Sequence, residues 1–350
     1  MGQLNRRLKN LPRSILNLLS EVDELKGQWI GGAKLNPQAL GRLKRSTLIM
    51  STGASTRIEG AALSDENVEQ LMRGLSMQKF RDRDKQEVKG YFELLENIFA
   101  AWQKIPFSES TIKHLHRELL KYVKKDELHR GEYKKTENRV EMIDETGKST
   151  GVLFETTPAY LTPKEMQELV EWTKEAFALR EHHPLLIIGN FLVEFLNIHP
   201  FQDGNGRLSR ILTNLLLLQE GYAYMPYVSH EKIVEDNKAD YYVALRRSQK
   251  TLKTKAETVE PWLEFFLQII VLQARSAIDL LSRENIERLL SPKQLAIWKQ
   301  LEHVREATPG ELTKATGVAR PTVSQALDKL LRLKRIERIG LGRTTRYRKI

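Results

Sequence analysis

The segment His199-Pro-Phe-Gln-Asp-Gly-Asn-Gly-Arg-Leu-Ser-Arg210 decides how this chain folds. Ahead of it, Pro184 to Ile198 contains a single charged residue, Glu194, and reads as an apolar helix. Behind it, Arg207 to Gly221 reads as a second apolar helix that stops at a glycine. Helices that are apolar all round belong in the interior. The segment is therefore a tight loop between two buried helices, and its second half is the N-terminus of the latter.

That position has chemical consequences. Gly204 and Gly206 can take positive φ and allow a ligand close to the backbone. Successive N–H groups in such a turn form a concave nest for an anion, and the helix N-terminus adds unpaired donors and a favourable dipole. Arg207 and Arg210 share one face of the helix turn, and guanidinium groups match phosphate oxygens. Asp203 offers a hard oxygen ligand suited to Mg2+ on phosphates. His199 offers a base that is mostly neutral at pH 7. A base, a carboxylate, an anion nest and two arginines in twelve residues suit phosphoryl or nucleotidyl transfer.

The segment resembles the Fic family signature, H-x-F-x-[D/E]-G-N-G-R-x-x-R, at every specified position. The resemblance implies transfer of AMP from ATP to a Ser, Thr or Tyr hydroxyl of a target protein, which could be the chain itself. It assigns His199 as the base and Asp203 as the Mg2+ ligand. Phe201 belongs to the nucleotide-binding loop, Gly204, Asn205 and Gly206 to the phosphate cradle, and Arg207 and Arg210 to the polyphosphate tail. Lys or Ala in place of the acid marks other branches, so Asp203 implies adenylylation.

Three further segments extend the resemblance. Gly131-Glu-Tyr-Lys-Lys-Thr-Glu-Asn-Arg-Val140 is similar to the family's flap, a hairpin that clamps the target by strand addition; Asn138, Arg139, Val140 and Glu141 are its candidate contacts. Arg139 stands where an aromatic is usual, and a plain surface hairpin is the alternative. Asp240-Tyr-Tyr-Val-Ala-Leu245 resembles the helix with an adenine-side tyrosine, giving Tyr241 and Gln249 as candidates. Ser55-Thr-Arg-Ile-Glu59-Gly60 resembles the inhibitory motif [S/T]-x-x-x-E-[G/N], N-terminal to the core. If Glu59 reaches Arg210, it neutralises the arginine that ATP needs. The same carboxylate could instead activate water and remove AMP.

The composition agrees with a soluble protein: 350 residues, 41% hydrophobic and 29% charged, which excludes disorder and fibres. Without cysteine there is no disulfide, thiol nucleophile or Cys-ligated zinc. Asn17 interrupts the short run from Ile15 to Leu19, so no secretory leader is expected, nor is a membrane span; the expected location is cytoplasmic. Helical periodicity dominates, and the expected class is mainly α. Thr162-Pro163, Ser291-Pro292 and Thr308-Pro309, each with Glu or Gln three residues after the hydroxyl, read as capped helix starts.

Four parts are expected. Residues 1–105 form an N-terminal helical region with a break at Gly27, Gly31 and Gly32; 106–255 form the catalytic core. Residues 256–286 are an amphipathic connecting helix with a stripe of Trp262, Phe265, Phe266, Ile269 and Leu272. Residues 287–350 resemble a winged helix-turn-helix with a buried stripe of Val323, Leu327 and Leu330. The net charge is +11, and residues 291–350 hold 14 Lys and Arg against 5 Asp and Glu, or +9. DNA is a candidate partner through Arg320, Thr322, Ser324, Gln325, Arg343 and Arg346; a protein-binding or dimerisation module is the alternative. A DNA-binding regulator with a vestigial or nucleotide-sensing Fic domain is the second functional reading, and a homodimer is a candidate assembly.

Overall fold

The computed structural model describes residues 2–32, 37–74, 82–143, 149–333, 335–340 and 345–350; the side chains of 37–39, 139–155 and 282–289 lie outside that description. The chain forms two compact units, Met1–Ile278 and Asp279–Ile350. Both are mainly α, as the periodicity implied.

In the first unit α1 (Gly2–Arg6), α2 (Arg13–Gly32), α3 (Pro37–Ile58), α4 (Asp65–Met72) and α5 (Asp82–Ala101) precede the motif-bearing core. The core comprises α6 (Glu109–Leu119), the hairpin β1 (Arg139–Ile143) and β2 (Ser149–Glu155), α7 (Thr162–Leu179), α8 (Pro184–Ile198), α9 (Asn205–Gln219), α10 (His230–Asp236) and α11 (Lys238–Gln249). It is followed by α12 (Glu260–Leu289). The strands pair antiparallel, with Arg139 opposite Glu155.

Helix α8 is the axis of the unit. Every residue from Leu185 to Ile198 is buried, as its predominantly apolar sequence requires. Gly189 lets α12 come close: a Cβ there would lie 2.6 Å from Leu263 Cδ2, and Trp262 donates to the Gly189 carbonyl at 2.8 Å. Trp262, Phe265, Phe266 and Ile269 are buried as the stripe predicted, but Leu272 is 41% exposed. Leu272 lies off the buried face, which continues through Ile270, Val271, Ala274 and Ala277.

Helix α3 buries Ser51, Thr52, Ser55 and Thr56 completely. Such a polar face is tolerable because its hydroxyls find partners within the helix or across it. Thr52 donates to the Leu48 carbonyl at 2.8 Å and Thr56 to that of Thr52 at 2.9 Å, while Ser51 donates to the Ser229 hydroxyl at 2.8 Å.

Two expectations need correction. Gly27 and Gly31 lie within α2 rather than at a break; the helix runs to Gly32. Thr162 does not cap α7: Leu161 occupies the N-cap, without a side-chain bond. The Thr162 hydroxyl is fully buried and turns back to the Pro158 carbonyl at 3.1 Å. Glu165, freed from a capping box, accepts from Thr157 at 2.5 Å and Lys253 at 2.6 Å. The other two starts form full capping boxes, Ser291 with Gln294 and Thr308 with Glu311.

The second unit holds α13 (Pro292–Glu302), α14 (Pro309–Thr316), α15 (Arg320–Arg332) and the antiparallel pair β3 (Ile336–Ile339) and β4 (Arg346–Lys349). Its core gathers Ile297, Trp298, Leu312, Val323, Leu327 and Leu330.

The N-terminus is locked to α8 by a buried charge network. Arg7 pairs with Glu194 at 2.6 Å and Glu257 at 2.8 Å, and Asn190 donates to the Leu4 carbonyl at 3.0 Å. Removing one partner leaves buried charge uncompensated. Arg7→Ala should therefore lower the unfolding free energy of the first unit by ~3–5 kcal/mol in denaturant titration; a loss below ~1 kcal/mol would show that the pair is effectively solvated.

Candidate active site

The chain turns from α8 to α9 between His199 and Gly204. His199 caps α8 in the left-handed region, φ +51°, with its N–H on the Phe195 carbonyl at 2.9 Å. Gly204 precedes α9 at φ +79°, a conformation glycine adopts without penalty. Asn205 staples the turn: its amide donates to the Phe201 carbonyl at 2.7 Å and its Oδ1 accepts from the Phe201 N–H at 2.9 Å. The Phe201 ring is fully buried and stacks on His116 with centroids 3.8 Å apart, so it shapes the loop and offers no surface to a nucleotide.

His199 Nδ1 lies 3.4 Å from the Leu196 carbonyl. A carbonyl only accepts, so Nδ1 carries the proton and Nε2 is the basic nitrogen. Burial lowers the imidazole to about 4, and the Lys134 charge pushes the same way. The ring is therefore neutral, as a base must be.

Asp203 accepts from the Gly204 N–H at 2.6 Å and from Arg207 at 3.2 Å, and pairs with Arg83 through its other oxygen. Burial would raise its carboxyl, but Arg207, the Gly204 N–H and Arg83 outweigh it and hold it ionised. Arg207 also pairs with Glu87 at 2.7 Å, and Glu87 with Arg83 at 2.8 Å. Among the described residues no group of three or more His, Asp or Glu forms a metal cage. Asp203 nevertheless suits Mg2+ arriving on a polyphosphate, which needs only one or two carboxylates beside the phosphates. Its side chain is 37% exposed on that approach.

Arg210 is nearly buried and tied to α3. It donates to the Ser55 hydroxyl at 2.8 Å, the Ser55 carbonyl at 3.0 Å and Glu59 at 2.7 Å. Gly60, at φ +99°, closes α3: its N–H reaches the Arg57 carbonyl at 3.0 Å and the Ala61 N–H reaches that of Thr56 at 3.1 Å. This Schellman pair makes Glu59 the last helical cap and aims its carboxylate at α9. Burial would raise the Glu59 carboxyl, but Arg210 and then Arg207 hold it below the usual range. Gly206 makes room for it, since a Cβ there would sit 2.3 Å from Glu59 Oε1.

Other candidates fall as follows. Tyr241 lies against Trp262 and Phe265, with ring centroids 5.7 and 5.9 Å away; burial pushes its hydroxyl up to about 12 beside Arg210. Gln249 is buried, and among the described residues neither its side-chain oxygen nor nitrogen has a hydrogen-bond partner. Asn138 grips the loop, donating to the Phe201 carbonyl at 2.9 Å. Arg139, Val140 and Glu141 lie on β1, with side chains outside the described residues. In the second unit Arg320, Ser324 and Gln325 are exposed and Thr322 is half-buried; Arg343 lies outside the described residues. Arg346 pairs with Glu306 and Glu311 at 3.4 and 3.6 Å.

Sequence reasoning missed Arg83, Glu87, Lys134 and His116. His116 is fully buried. Its Nδ1 accepts from the Gly131 N–H at 2.9 Å, so Nε2 carries the proton that bonds the Asp203 carbonyl at 2.9 Å. Lys134 stands in the flap-like segment with no sign there of this role, and Arg83, Glu87 and His116 lie in no motif; each reaches the site through tertiary folding.

A Fic/DOC family sequence model matches residues 106–217. This chain carries a Fic domain. A Fic family protein of Desulfovibrio desulfuricans has a similar solved structure: TM-score 0.62, 26% identity, 98% of both chains covered. A probable protein adenylyltransferase of Aquifex aeolicus is 32% identical over 84 residues, 24% of this chain and 25% of that protein. Protein adenylyltransferase Fic of Drosophila virilis is 26% identical over 224 residues, 63% of this chain and 42% of that protein. The chain thus spans less than half the length of these curated relatives. No described helix is long and apolar enough to cross a membrane.

Burial lowers both Fic-domain histidines, His116 and His199, to about 4. The unfolded chain takes up protons at these rings below about 6.5, while the folded chain does so only near 4. Stability from both is therefore complete above pH 6.5 and declines as pH falls toward 4. Histidine-labelled NMR should show neither ring titrating between pH 8 and 6, while the midpoint of thermal unfolding falls from pH 6.5 to 5.

Proposed function

We propose that the chain is a protein adenylyltransferase held in check by Glu59. The observation that carries this reading is the junction of α8 and α9, where a neutral histidine, an ionised aspartate and two arginines surround one glycine-bordered turn. The incoming substrate is ATP, with its polyphosphate on the N-terminus of α9 and beside Arg207 and Arg210. Asp203 would hold Mg2+, which neutralises phosphate charge when bound. His199 Nε2 accepts the proton of a Ser, Thr or Tyr hydroxyl. The hydroxyl oxygen bonds to the α-phosphorus, the bond from that phosphorus to the β-phosphate bridge breaks, and diphosphate leaves. Proton transfer supplies ~10²–10⁴-fold, so alignment and charge neutralisation carry the remainder.

Arg210 cannot serve Glu59 and the phosphate tail equally. A polyphosphate placed there meets a carboxylate that occupies its cation, so Glu59 works against productive binding. Glu59→Gly should raise AMP incorporation from labelled ATP and Mg2+ by at least about tenfold, equivalent to ~1.4 kcal/mol of relieved competition. Adding His199→Ala should abolish it. Unchanged or lower incorporation in Glu59→Gly would overturn the inhibitory role; loss of AMP removal from a modified target in that variant would assign Glu59 to the reverse reaction.

The charge of the second unit favours one further reading, that of a DNA-binding regulator. The +9 surplus of residues 291–350 is the supporting observation, although Arg346, Arg348 and Lys349 already pair with Glu306, Glu337 and Glu302. Gel shifts with a steep salt dependence would support it; absence of a shift at low salt would remove it.

A further inference from the structure

Four consecutive carbonyls of the motif turn are bonded by one short segment at the root of the β1–β2 hairpin. Ile198 O accepts from Lys134 Nζ at 3.0 Å, His199 O from Asn138 Nδ2 at 3.3 Å, Pro200 O from the Lys134 N–H at 2.9 Å and Phe201 O from Asn138 Nδ2 at 2.9 Å. The remaining Lys134 protons go to Asn138 Oδ1 and Thr156 Oγ1, both at 2.8 Å. Thr156 directly follows β2, so Lys134 joins both strands of the hairpin to the turn.

Stability alone does not account for this lysine. It is 4% exposed, and its three side-chain acceptors are neutral; among the described residues no carboxylate is hydrogen-bonded to it. Burial lowers its ammonium to about 8, so the folded protein disfavours the charge it retains. A buried cation with neutral partners opposes folding unless its placement serves something else. Its bonds to the Ile198 and Pro200 carbonyls bracket the one non-glycine left-handed residue in the site, His199, a conformation that persists only where the surroundings impose it.

We propose that Lys134 is a positioning residue for His199, locking the turn that carries the base to the hairpin. The proposal rests on the reading of His199 as the base. A hairpin so tied can move only with the turn, and its backbone is the edge on which an extended target segment would add. Lys134 also keeps a positive charge near the imidazole, which favours the neutral ring that accepts a proton.

The test uses the full chain carrying Glu59→Gly, with Lys134→Met and Lys134→Arg added singly. For Lys134→Met the turnover of AMP transfer should fall ~10- to 100-fold, the size expected of a misplaced base. Affinity for ATP should stay within ~3-fold, since the phosphate contacts are untouched. The acid limb of the pH–rate profile and the His199 titration seen by NMR should both move up, because a nearby positive charge is lost while the burial of the ring remains. Lys134→Arg should recover most of the turnover. A folded Lys134→Met with turnover within ~3-fold and an unmoved His199 titration overturns the proposal. If Lys134→Met does not fold, Thr156→Val, which removes one acceptor, should show smaller shifts of the same sign, and their absence overturns it. If the Glu59→Gly protein transfers no AMP at all, the proposed function fails, and the His199 titration still decides the role of Lys134.

Discussion

The structure depends on a six-residue turn, His199 to Gly204, made at the end of a helix with no solvent-facing side. Backbone polar groups in such a place must be paired, because each orphan costs as much as a lost hydrogen bond. Most loops meet that demand with water at the surface. Here it is met by protein: Lys134 and Asn138 from the hairpin root, Asn205 from α9, and His116 from α6. Three separate elements converge on the turn because it has carbonyls to satisfy. The chemistry sits where the backbone demand is greatest, and the rigidity the site needs follows from the same bonds.

Charge is organised on a second rule: the guanidinium groups facing the turn are each answered by an acid, whereas Lys134 is bonded to neutral acceptors. Arg83, Arg207 and Glu87 form a chain that ends on Asp203, while Arg210 ends on Glu59. Buried guanidinium groups without acids would be expensive, so the ligand-free protein supplies its own anions. A polyphosphate must then exchange partners rather than fill an empty field. Asp203 and Glu59 differ in this respect. Asp203 gains a cation if metal comes with the phosphates, whereas Glu59 only loses Arg210. The exchange is favourable at one end of the turn and opposed at the other, which gives Glu59 its proposed restraining role from position alone.

Much of this was legible in the sequence because it is local. The motif turn, both flanking helices, the capping boxes at Ser291 and Thr308 and the glycine after Glu59 all depend on residues within a few positions of one another. What was not legible is what the fold brings from afar. Lys134 is 65 positions from His199 in the chain, and the flap-like segment around it gives no sign that its side chain turns inward to the motif turn. Arg83 and Glu87 show the charge spacing of an ordinary exposed helix face yet close onto Asp203 and Arg207. Thr162 shows the limit within local reading: its sequence has all the parts of a capping box, but burial turned the hydroxyl elsewhere and Glu165 found Lys253.

The position of Gly60 joins the local and the distant. Its left-handed conformation ends α3 one residue after Glu59, and the paired bonds of Ala61 and Gly60 leave little freedom in how that end is made. Had the helix continued, Glu59 would be one more residue on a regular face, free to choose among rotamers. Ending there, with Ser55 one turn back also bonded to Arg210, fixes two contacts to the same guanidinium from one helix end. The Gly206 backbone, bare of a side chain, leaves the space into which the carboxylate extends. A glycine on each side of the ion pair thus sets its geometry: one by stopping a helix, the other by not filling a gap. Substitution at either would act on the same contact from opposite directions, the first by loosening the helix end that carries the carboxylate and the second by pushing the carboxylate out.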